Sequence, residues 1–575
     1  MKVKLTKYLK PYWFFALLAP LAMAGEVICD LRLPDLMSTI VDDGVLEKNM
    51  TIVLTTGAIM LFTAFLGACA GMLSSVFAGI ASQSFGMDLR NDVFKKVMSL
   101  SLEQTDRFTT GSLVTRLTND VTAVQNAVQM ILRMVIRAPV FFVGGTIMAL
   151  SLNVNFAVVI LCGLPFQALL IFFTLKKAAP LFTKVQAKID KINSVVQENV
   201  TGARMVKAYV REDYEEKRFG TAHDELVETN LKVQYVMARM SPIMMIIMNA
   251  VVVTVIYVGG LQAEAQVMRP GDIMAAITYV TQILMSIMMV SMIFQSLSRA
   301  KASADRIIEV LETDPAVLSG ELVGDRAGDV TFDNVSFSYP NASSVPVLKD
   351  ISFKINAGET VAIIGATGSG KTSLVNLIAR FYDTVGGTVK VGGEDVKNYD
   401  LTELRKKIGF VLQKSETFSG TIAENIRWGN PDATNEEVQT AAKIAQADEY
   451  IQGFENGYDT VIGEKGASLS GGQKQRLSIA RAIVKKPEIL IFDDSTSALD
   501  FSTEAKLHKA LREHLDDTTI IMIAQRVASI MGADRIIVLD NNTISAIGTH
   551  KELLETSSVY QDIYNSQMKG GEING

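Results

Sequence analysis

The chain has 575 residues, of which 49% are hydrophobic and 20% charged, and its formal net charge is −6 at pH 7. This length predicts more than one domain, and the acidic balance gives no support for nucleic-acid binding. The cysteines lie in apolar segments without metal-ligand spacing, so neither a disulfide framework nor a zinc site is predicted for Cys29, Cys69 and Cys162.

Long apolar segments occupy the first half of the chain. A helix needs roughly 20 mostly apolar residues to cross a bilayer. By this measure we predict six membrane-spanning helices, at about 13–40, 53–84, 131–153, 155–176, 238–262 and 272–298. Long stretches rich in Lys and Arg separate the second span from the third and the fourth from the fifth. The positive-inside rule places these stretches and the N-terminus in the cytoplasm, so a multi-pass protein of a bacterial inner or plasma membrane is predicted.

Polar and polarizable residues in this half leave alternatives open. The first eleven residues suit an interfacial helix on anionic lipid, because they include Lys2, Lys4, Lys7 and Lys10. Charges within the spans either line a path for a translocated compound or pair between helices; they are Glu26, Asp30, Arg32, Arg133 and Arg137. The last two spans are rich in methionine, which either forms an adaptable binding surface or fills space: Met240, Met244, Met245, Met248, Met285, Met288, Met289 and Met292.

A phosphate-binding loop follows a polar, Gly-containing connector at about 312–328. The run Gly365-Ala-Thr-Gly-Ser-Gly-Lys-Thr372 matches the pattern G-x-x-x-x-G-K-[ST], between an apolar strand-like run and a helix-like run. Backbone N–H groups and the helix N-terminus favour phosphate oxygens there. Lys371 is expected to reach the terminal phosphates and Thr372 to bind Mg²⁺. The predicted ligands are therefore ATP and Mg²⁺, with loop contacts from Gly365, Thr367, Gly368, Ser369 and Gly370.

Two later segments extend this prediction. The run ILIFDD ends a strand-like segment at Asp493, the place where P-loop folds hold Mg²⁺. The run LSGGQ opens a basic helix and forms a second anion site, from Leu469, Ser470, Gly471, Gly472 and Gln473. One nucleotide rarely needs two helix ends from one domain. A head-to-tail pair of domains, each completing the site of the other, is the economical arrangement.

These motifs, with SALD after ILIFDD and a six-span half before them, resemble a half-transporter of the ATP-binding cassette (ABC) exporter family. The resemblance covers nearly the whole chain and implies the type IV exporter fold. That fold has an all-α six-helix transmembrane domain (1–311), a linker (312–328) and an α/β P-loop nucleotide-binding domain (329–575). The resemblance also implies coupling helices around 102–112 and 202–212. It assigns adenine stacking to Tyr339, Mg²⁺ sensing to Gln413 and communication between the two nucleotide sites to Asp500.

Two positions depart from the family pattern. Asp494 stands where hydrolysing members carry Glu, and Gln525 stands where they carry the switch His. An aspartate carboxylate is withdrawn by about 1.5 Å, and a misplacement of about 1 Å can cost on the order of 100-fold in rate. A glutamine cannot take a proton. The sequence therefore predicts a site that binds ATP and cleaves it slowly, unless both changes are tolerated drift.

Two copies of this chain would form two slow sites, whereas its intact LSGGQ could complete a fast site of another chain. The sequence therefore predicts a heterodimer. The expected partner is a homologous half-transporter with the catalytic Glu and His, as in heterodimeric bacterial multidrug exporters. The expected substrate is a hydrophobic or amphiphilic small molecule, a drug or a lipid. A peptide exporter and an ATP-gated channel or regulatory module remain as alternatives.

Overall fold

The computed structural model describes residues 4–324, 328–339, 346–463, 466 and 468–572. The chain divides into two compact units, Met1–Met98 with Gly111–Thr313, and Ser99–Thr110 with Asp314–Gly575. The segment Ser99–Thr110 therefore belongs to the second unit. Several predicted features lie outside the described residues: Lys2, linker residues 325–327 and the side chain of Met292.

Helices form most of the chain before residue 313. They are α1 Trp13–Thr39, α2 Met50–Ser99, α3 Leu102–Phe108, α4 Thr110–Thr115, α5 Val121–Leu152, α6 Val154–Thr201, α7 Ala203–Ala208, α8 Glu212–Ala238, α9 Met240–Glu264 and α10 Pro270–Glu312. Within the described residues, six helical stretches are long and apolar enough to cross a membrane. The predicted fold class of six apolar helices followed by an α/β domain is confirmed.

Four helices, α2, α5, α6 and α10, are longer than the predicted spans. Helix α2 has 50 residues, about 75 Å at 1.5 Å per residue, whereas a bilayer core is about 30 Å thick. Counting apolar residues finds only the bilayer part of such a helix. The predicted interfacial helix at the N-terminus also differs. There the chain forms two 3₁₀ turns, Leu5–Tyr8 and Lys10–Tyr12. The hydroxyls of Tyr8 and Tyr12 donate to Asp92 and Asp88 of α2 at 2.9 and 3.0 Å.

Charged side chains within the first unit contact one another. Arg137 of α5 lies 3.2 Å from Glu26 and 3.7 Å from Asp30, both on α1. The apolar core beside them is formed mainly by α1, α5, α6, α9 and α10, and the hydroxyl of Tyr279 donates to the carbonyl of Leu31 at 2.9 Å. The contacts of Arg137 favour interhelix pairing over a charged lining for these residues.

The second unit is built on two main β-sheets. A four-stranded antiparallel sheet has the order β2-β1-β4-β5, and a six-stranded sheet has the order β12-β11-β3-β10-β9-β6, parallel except for β12. A short pair, β7-β8, completes the strands. The strands are β1 Val330–Phe337, β2 Leu348–Ile355, β3 Thr360–Gly365, β4 Gly386–Val391, β5 Glu394–Asp395, β6 Ile408–Val411, β7 Gly420–Thr421, β8 Val461–Ile462, β9 Ile489–Asp493, β10 Thr519–Ile523, β11 Arg535–Asp540 and β12 Thr543–Gly548.

The helices after residue 370 build apolar cores, several of them against the six-stranded sheet. They are α11 Lys371–Ile378, α12 Leu401–Lys407, α13 Ile422–Arg427, α14 Asn435–Ile444, α15 Asp448–Gln452, α16 Gly471–Ile483, α17 Phe501–His514, α18 Val527–Ile530, α19 His550–Thr556 and α20 Ser558–Glu572. The central strands β9 and β10 are buried along their whole length. Side chains that follow these strands are therefore held by a rigid support, as a functional site requires.

Candidate nucleotide-binding site

A cavity opens at the carboxyl ends of the parallel strands β3, β9 and β10, the usual ligand position in open α/β sheets. Its volume is about 340 Å³. It is lined by Tyr339, Val347, Thr367, Gly368, Gly370, Lys371, Thr372, Ser373, Gln413, Asp494, Ile523 and Gln525. Nine of the eighteen predicted site residues therefore line one cavity, although they are up to 186 residues apart in sequence, from Tyr339 to Gln525 (525 − 339).

The phosphate-binding loop joins β3 to α11. Gly368 and Gly370 have φ angles of +87° and +92°, a region that favours glycine. A Cβ on Gly370 would also lie 2.7 Å from a methyl group of Leu348. The ammonium of Lys371 donates to the carbonyls of Gly365 and Ala366, each at 2.8 Å. Burial lowers the pKa of Lys371, and attraction to Asp494 and Asp493 opposes that shift.

Oxygen ligands for a divalent cation lie beside the loop. The hydroxyl of Thr372 donates to Oδ1 of Asp493 at 2.9 Å, and Asp493 is only 3% exposed. Burial raises the pKa of the Asp493 carboxyl, with the hydrogen bond from Thr372 opposing the shift. A buried carboxylate next to a hydroxyl suits Mg²⁺, which prefers oxygen ligands. These residues fit the predicted metal.

The two divergent positions contact each other. Asp494 follows β9 with a φ of +48°, and its N–H donates to the carbonyl of Ile523 at 3.1 Å. Its Oδ2 accepts from Nε2 of Gln525 at 2.6 Å and from Nε2 of Gln413 at 3.1 Å. Asp494 is 7% exposed. One carboxylate oxygen therefore receives both amides, and all three side chains lie on the wall of the same cavity.

Two tyrosines stand at one side of the cavity. The hydroxyl of Tyr339 lies 2.9 Å from Oγ of Ser373, and its ring meets that of Tyr382 edge-on at 5.2 Å. Tyr382 in turn donates to Oδ2 of Asp106 at 3.1 Å. Burial, followed by the hydrogen bond to Asp106, raises the pKa of Tyr382 and keeps its phenol protonated. The sequence pattern did not identify Tyr382, since no motif includes it.

The LSGGQ segment is well formed and lies outside this cavity. Ser470 caps α16: its Oγ accepts from the N–H of Gln473 at 3.3 Å, and its own N–H donates to the side chain of Gln473 at 2.8 Å. Leu469 is buried, whereas Ser470 and Gly471 are exposed. Asp500 caps α17 through the N–H of Thr503 at 2.9 Å. In the described part of the chain, neither LSGGQ nor Asp500 is among the cavity-lining residues.

Short helices lie where the coupling helices are predicted. Helix α3, Leu102–Phe108, falls within 102–112, and α7, Ala203–Ala208, falls within 202–212. The side chain of Asp106 on α3 makes the contact with Tyr382, inside the second unit. Their coupling role stays a prediction.

Comparisons with known proteins agree along the whole chain. Residues 14–287 match the family described as ABC transporter transmembrane region, and residues 348–497 match the family described as ABC transporter. The uncharacterized ABC transporter ATP-binding protein YfiB of Bacillus subtilis (strain 168) is 40% identical over 565 residues, 98% of each protein. The ATP-dependent lipid A-core flippase of Chromobacterium violaceum is 30% identical over 568 residues, 98% of this chain and 97% of the flippase.

A solved structure is also similar. It is a bacterial Atm1-family ABC exporter with ATP bound, with a TM-score of 0.81 and 26% sequence identity. The alignment covers 97% of this chain and 98% of that one. The similarity therefore extends over both the membrane half and the nucleotide-binding half.

Proposed function

The chain belongs to the ABC transporter family as an exporter half-transporter, with a multi-pass membrane domain and a cytoplasmic nucleotide-binding domain. From this premise we propose that it exports amphiphilic compounds as one subunit of a heterodimer. The compounds are drugs or lipids. Similarity to a lipid A-core flippase supports this substrate class. In the heterodimer this chain supplies a slow ATP site and the LSGGQ segment that completes the fast site of its partner.

The arrangement of Asp494, Gln525 and Gln413 carries the proposal of a slow site. Hydrolysis of ATP needs a group that orients a water toward the terminal phosphate. Here the candidate carboxylate is short, and its Oδ2 already accepts two amide hydrogen bonds. Gln525 can donate a hydrogen bond but cannot accept a proton and become charged. The same cavity keeps its loop, Lys371 and Thr372, so tight binding of ATP with slow cleavage follows.

The position of LSGGQ supports the head-to-tail pairing. Ser470 and Gly471 are exposed at the start of α16, and the N-terminus of a helix favours an anion. The phosphates of a second nucleotide, held by another chain, provide that anion. A homodimer would have two slow sites. A partner with Glu and His at the divergent positions gives the complex one fast site, in which this chain contributes Ser470 to Gln473.

In the proposed cycle, the side chains act on ATP as follows. Lys371 binds the terminal phosphates, and the ring of Tyr339 stacks on adenine. Thr372 and Asp493, with Gln413 nearby, would hold Mg²⁺, which would neutralise developing charge on the phosphates. Gln525 can donate a hydrogen bond to the terminal phosphate, whereas Asp494 does not activate water quickly. Closure of the two nucleotide-binding domains on ATP is passed to the membrane helices through Ser99–Thr110, which is continuous with helices of the first unit.

The ATPase activity of purified full-length protein in lipid nanodiscs tests this function. We expect little turnover from this chain alone and a large increase when it is purified with a homologous half-transporter that carries the Glu and His. Brisk turnover by the chain alone would refute the slow site and the need for a partner. Uptake of a lipid-like fluorescent dye against its gradient into inverted vesicles would separate export from an ATP-gated channel.

A further inference from the structure

A second cavity lies within the first unit, between α6, α9 and α10. Its volume is about 140 Å³, and it is lined by Gln167, Ser241, Met244, Met245, Ile247, Met248, Leu284, Met285 and Met288. Five of these nine residues are methionines. The nucleotide site uses none of them.

One buried polar atom of this lining has no hydrogen-bond partner among the residues that the structure describes. Gln167 is only 3% exposed, and its Nε2 donates to the carbonyl of Leu284 at 2.8 Å. This bond fixes the orientation of the side-chain amide. The amide oxygen Oε1 is buried and accepts no hydrogen bond from any residue that the structure describes. Buried polar atoms in proteins are nearly always paired, and Gln167 is a lining residue of this cavity, so a donor bound in the cavity would satisfy Oε1.

The remaining lining restricts the donor. No Asp, Glu, Lys or Arg is among the described lining residues. A charged ammonium group would lose its hydration there and gain only one dipole, which is unfavourable. A neutral O–H or N–H loses much less. The geometry therefore favours an uncharged donor.

The size and the methionines restrict the body of the ligand. A cavity of about 150 Å³ lined by apolar side chains holds a benzene molecule. Methionine sulfur makes favourable contacts with aromatic rings, often at the ring edge, and its side chain adapts to different shapes. Met244 is buried, whereas Met245 and Met285 are about half exposed, at 57% and 48%. The pocket therefore has a closed inner wall and an open side, through which a longer chain can extend.

We propose that this cavity is a ligand subsite for an aromatic ring carrying a neutral hydrogen-bond donor, such as a phenol, on a longer amphiphile. The donor binds Oε1 of Gln167, and the methionines surround the ring. The assignment of such an amphiphile as cargo rests on the proposed export function. Binding itself needs neither ATP nor a partner chain.

A matched pair of ligands tests the subsite. The full-length chain, labelled with ¹³C at methionine methyl groups, is titrated in lipid nanodiscs with 4-octylphenol and with its methyl ether, 4-octylanisole. Affinities are compared at equal concentration in the lipid. We expect saturable shifts of the Met244 and Met285 signals, with the phenol binding about tenfold more tightly, the effect of one typical hydrogen bond. Equal affinities, or shifts equally large at the remote Met531, would overturn the proposal.

A substitution provides a second test of the ligand subsite. Gln167→Leu removes the acceptor, and we expect the phenol to bind no better than the anisole. Gln186→Leu is the matched control, because Gln186 is an exposed residue of the same helix α6 and lies outside the cavity lining. If Gln167→Leu fails to fold, the two ligands on the native chain still decide. A negative result here leaves the ATPase test of the proposed function intact, and a failed ATPase test leaves the binding result intact.

Discussion

Nε2 of Gln525 lies 2.6 Å from Oδ2 of Asp494, so the two positions that depart from the family pattern bind each other. Gln413 donates to the same oxygen at 3.1 Å. The side chains of Asp494, Gln525 and Gln413 thus form one local arrangement. Oδ2 of Asp494 therefore accepts both amides, and the proposed slow site rests on this arrangement.

The first prediction concerns this pair. Asp494→Glu together with Gln525→His should raise ATP turnover at the site of this chain on the order of 100-fold, because the carboxylate moves outward and the imidazole can take a proton. Phosphate release is measured in a complex whose partner site is inactivated. Asp494→Asn with Gln525→His is the control and should stay slow. A native site as fast as the double variant would contradict the prediction.

The second prediction concerns ATP binding. Lys371→Ala removes the ammonium that the phosphate-binding loop holds through Gly365 and Ala366. Charge-assisted bonds to phosphate are strong, so the affinity for a fluorescent ATP analogue should fall by at least an order of magnitude. Lys551→Ala, at an exposed position on α19, is the matched control and should bind normally. Unchanged affinity of the Lys371 variant would exclude this cavity as the ATP site.

The third prediction separates the two nucleotide sites of the complex. A Cβ on Gly471 meets no atom within 4 Å, so Gly471→Ala should leave the fold intact. The added methyl group would obstruct the approach of phosphate to the start of α16. We expect ATP turnover of the complex to fall on the order of tenfold or more, with ATP binding by the isolated chain unchanged. Gly220→Ala makes the same change in open space on α8 and serves as the control.

Much of the fold and the site could be predicted from local sequence. The phosphate-binding loop and Asp493 were identifiable because the chemistry needs those residues at fixed spacing after a strand. Six spans were predictable from apolar length, because the thickness of the bilayer sets the minimum length of a spanning helix. The ends of α2 were not predictable by that criterion, because a helix continues past the bilayer wherever its backbone bonds and packing allow, here from Met50 to Ser99.

Contacts between distant segments could not be predicted. Asp494 and Gln525 are 31 residues apart, and their bond depends on β9 and β10 being neighbours in the sheet. Asp106 and Tyr382 are 276 residues apart, so no sequence motif could indicate their contact. The hydrogen bonds between the N-terminal segment and α2 could not be predicted either, because they also join distant parts of the chain. The lysines near the N-terminus predict lipid contact, which stays a prediction, and they gave no sign that Tyr8 and Tyr12 donate to carboxylates of α2.

The last prediction concerns the contact between Tyr382 and Asp106. Tyr382 packs against Tyr339, the proposed adenine-stacking residue, and donates to Asp106 on α3 at 3.1 Å. Occupancy of the ATP site can thus bias the position of α3 through one aromatic pair and one hydrogen bond. Tyr382→Phe removes the bond, worth roughly 1.5–3 kcal/mol when one partner is charged, and keeps the ring. We expect normal ATP binding and a severalfold lower ratio of transport to ATP hydrolysis.

A tyrosine–aspartate bond elsewhere in the same unit is a control for this experiment. Tyr458 donates to Asp448 at 2.5 Å, and neither residue lines the nucleotide cavity. Tyr458→Phe removes the same kind of bond without touching α3 or Tyr339. Dye transport into inverted vesicles and ATP hydrolysis are measured together for both variants. An equal fall in the transport ratio for both would show a general loss of rigidity, whereas a fall confined to Tyr382→Phe would place the coupling in its bond to Asp106.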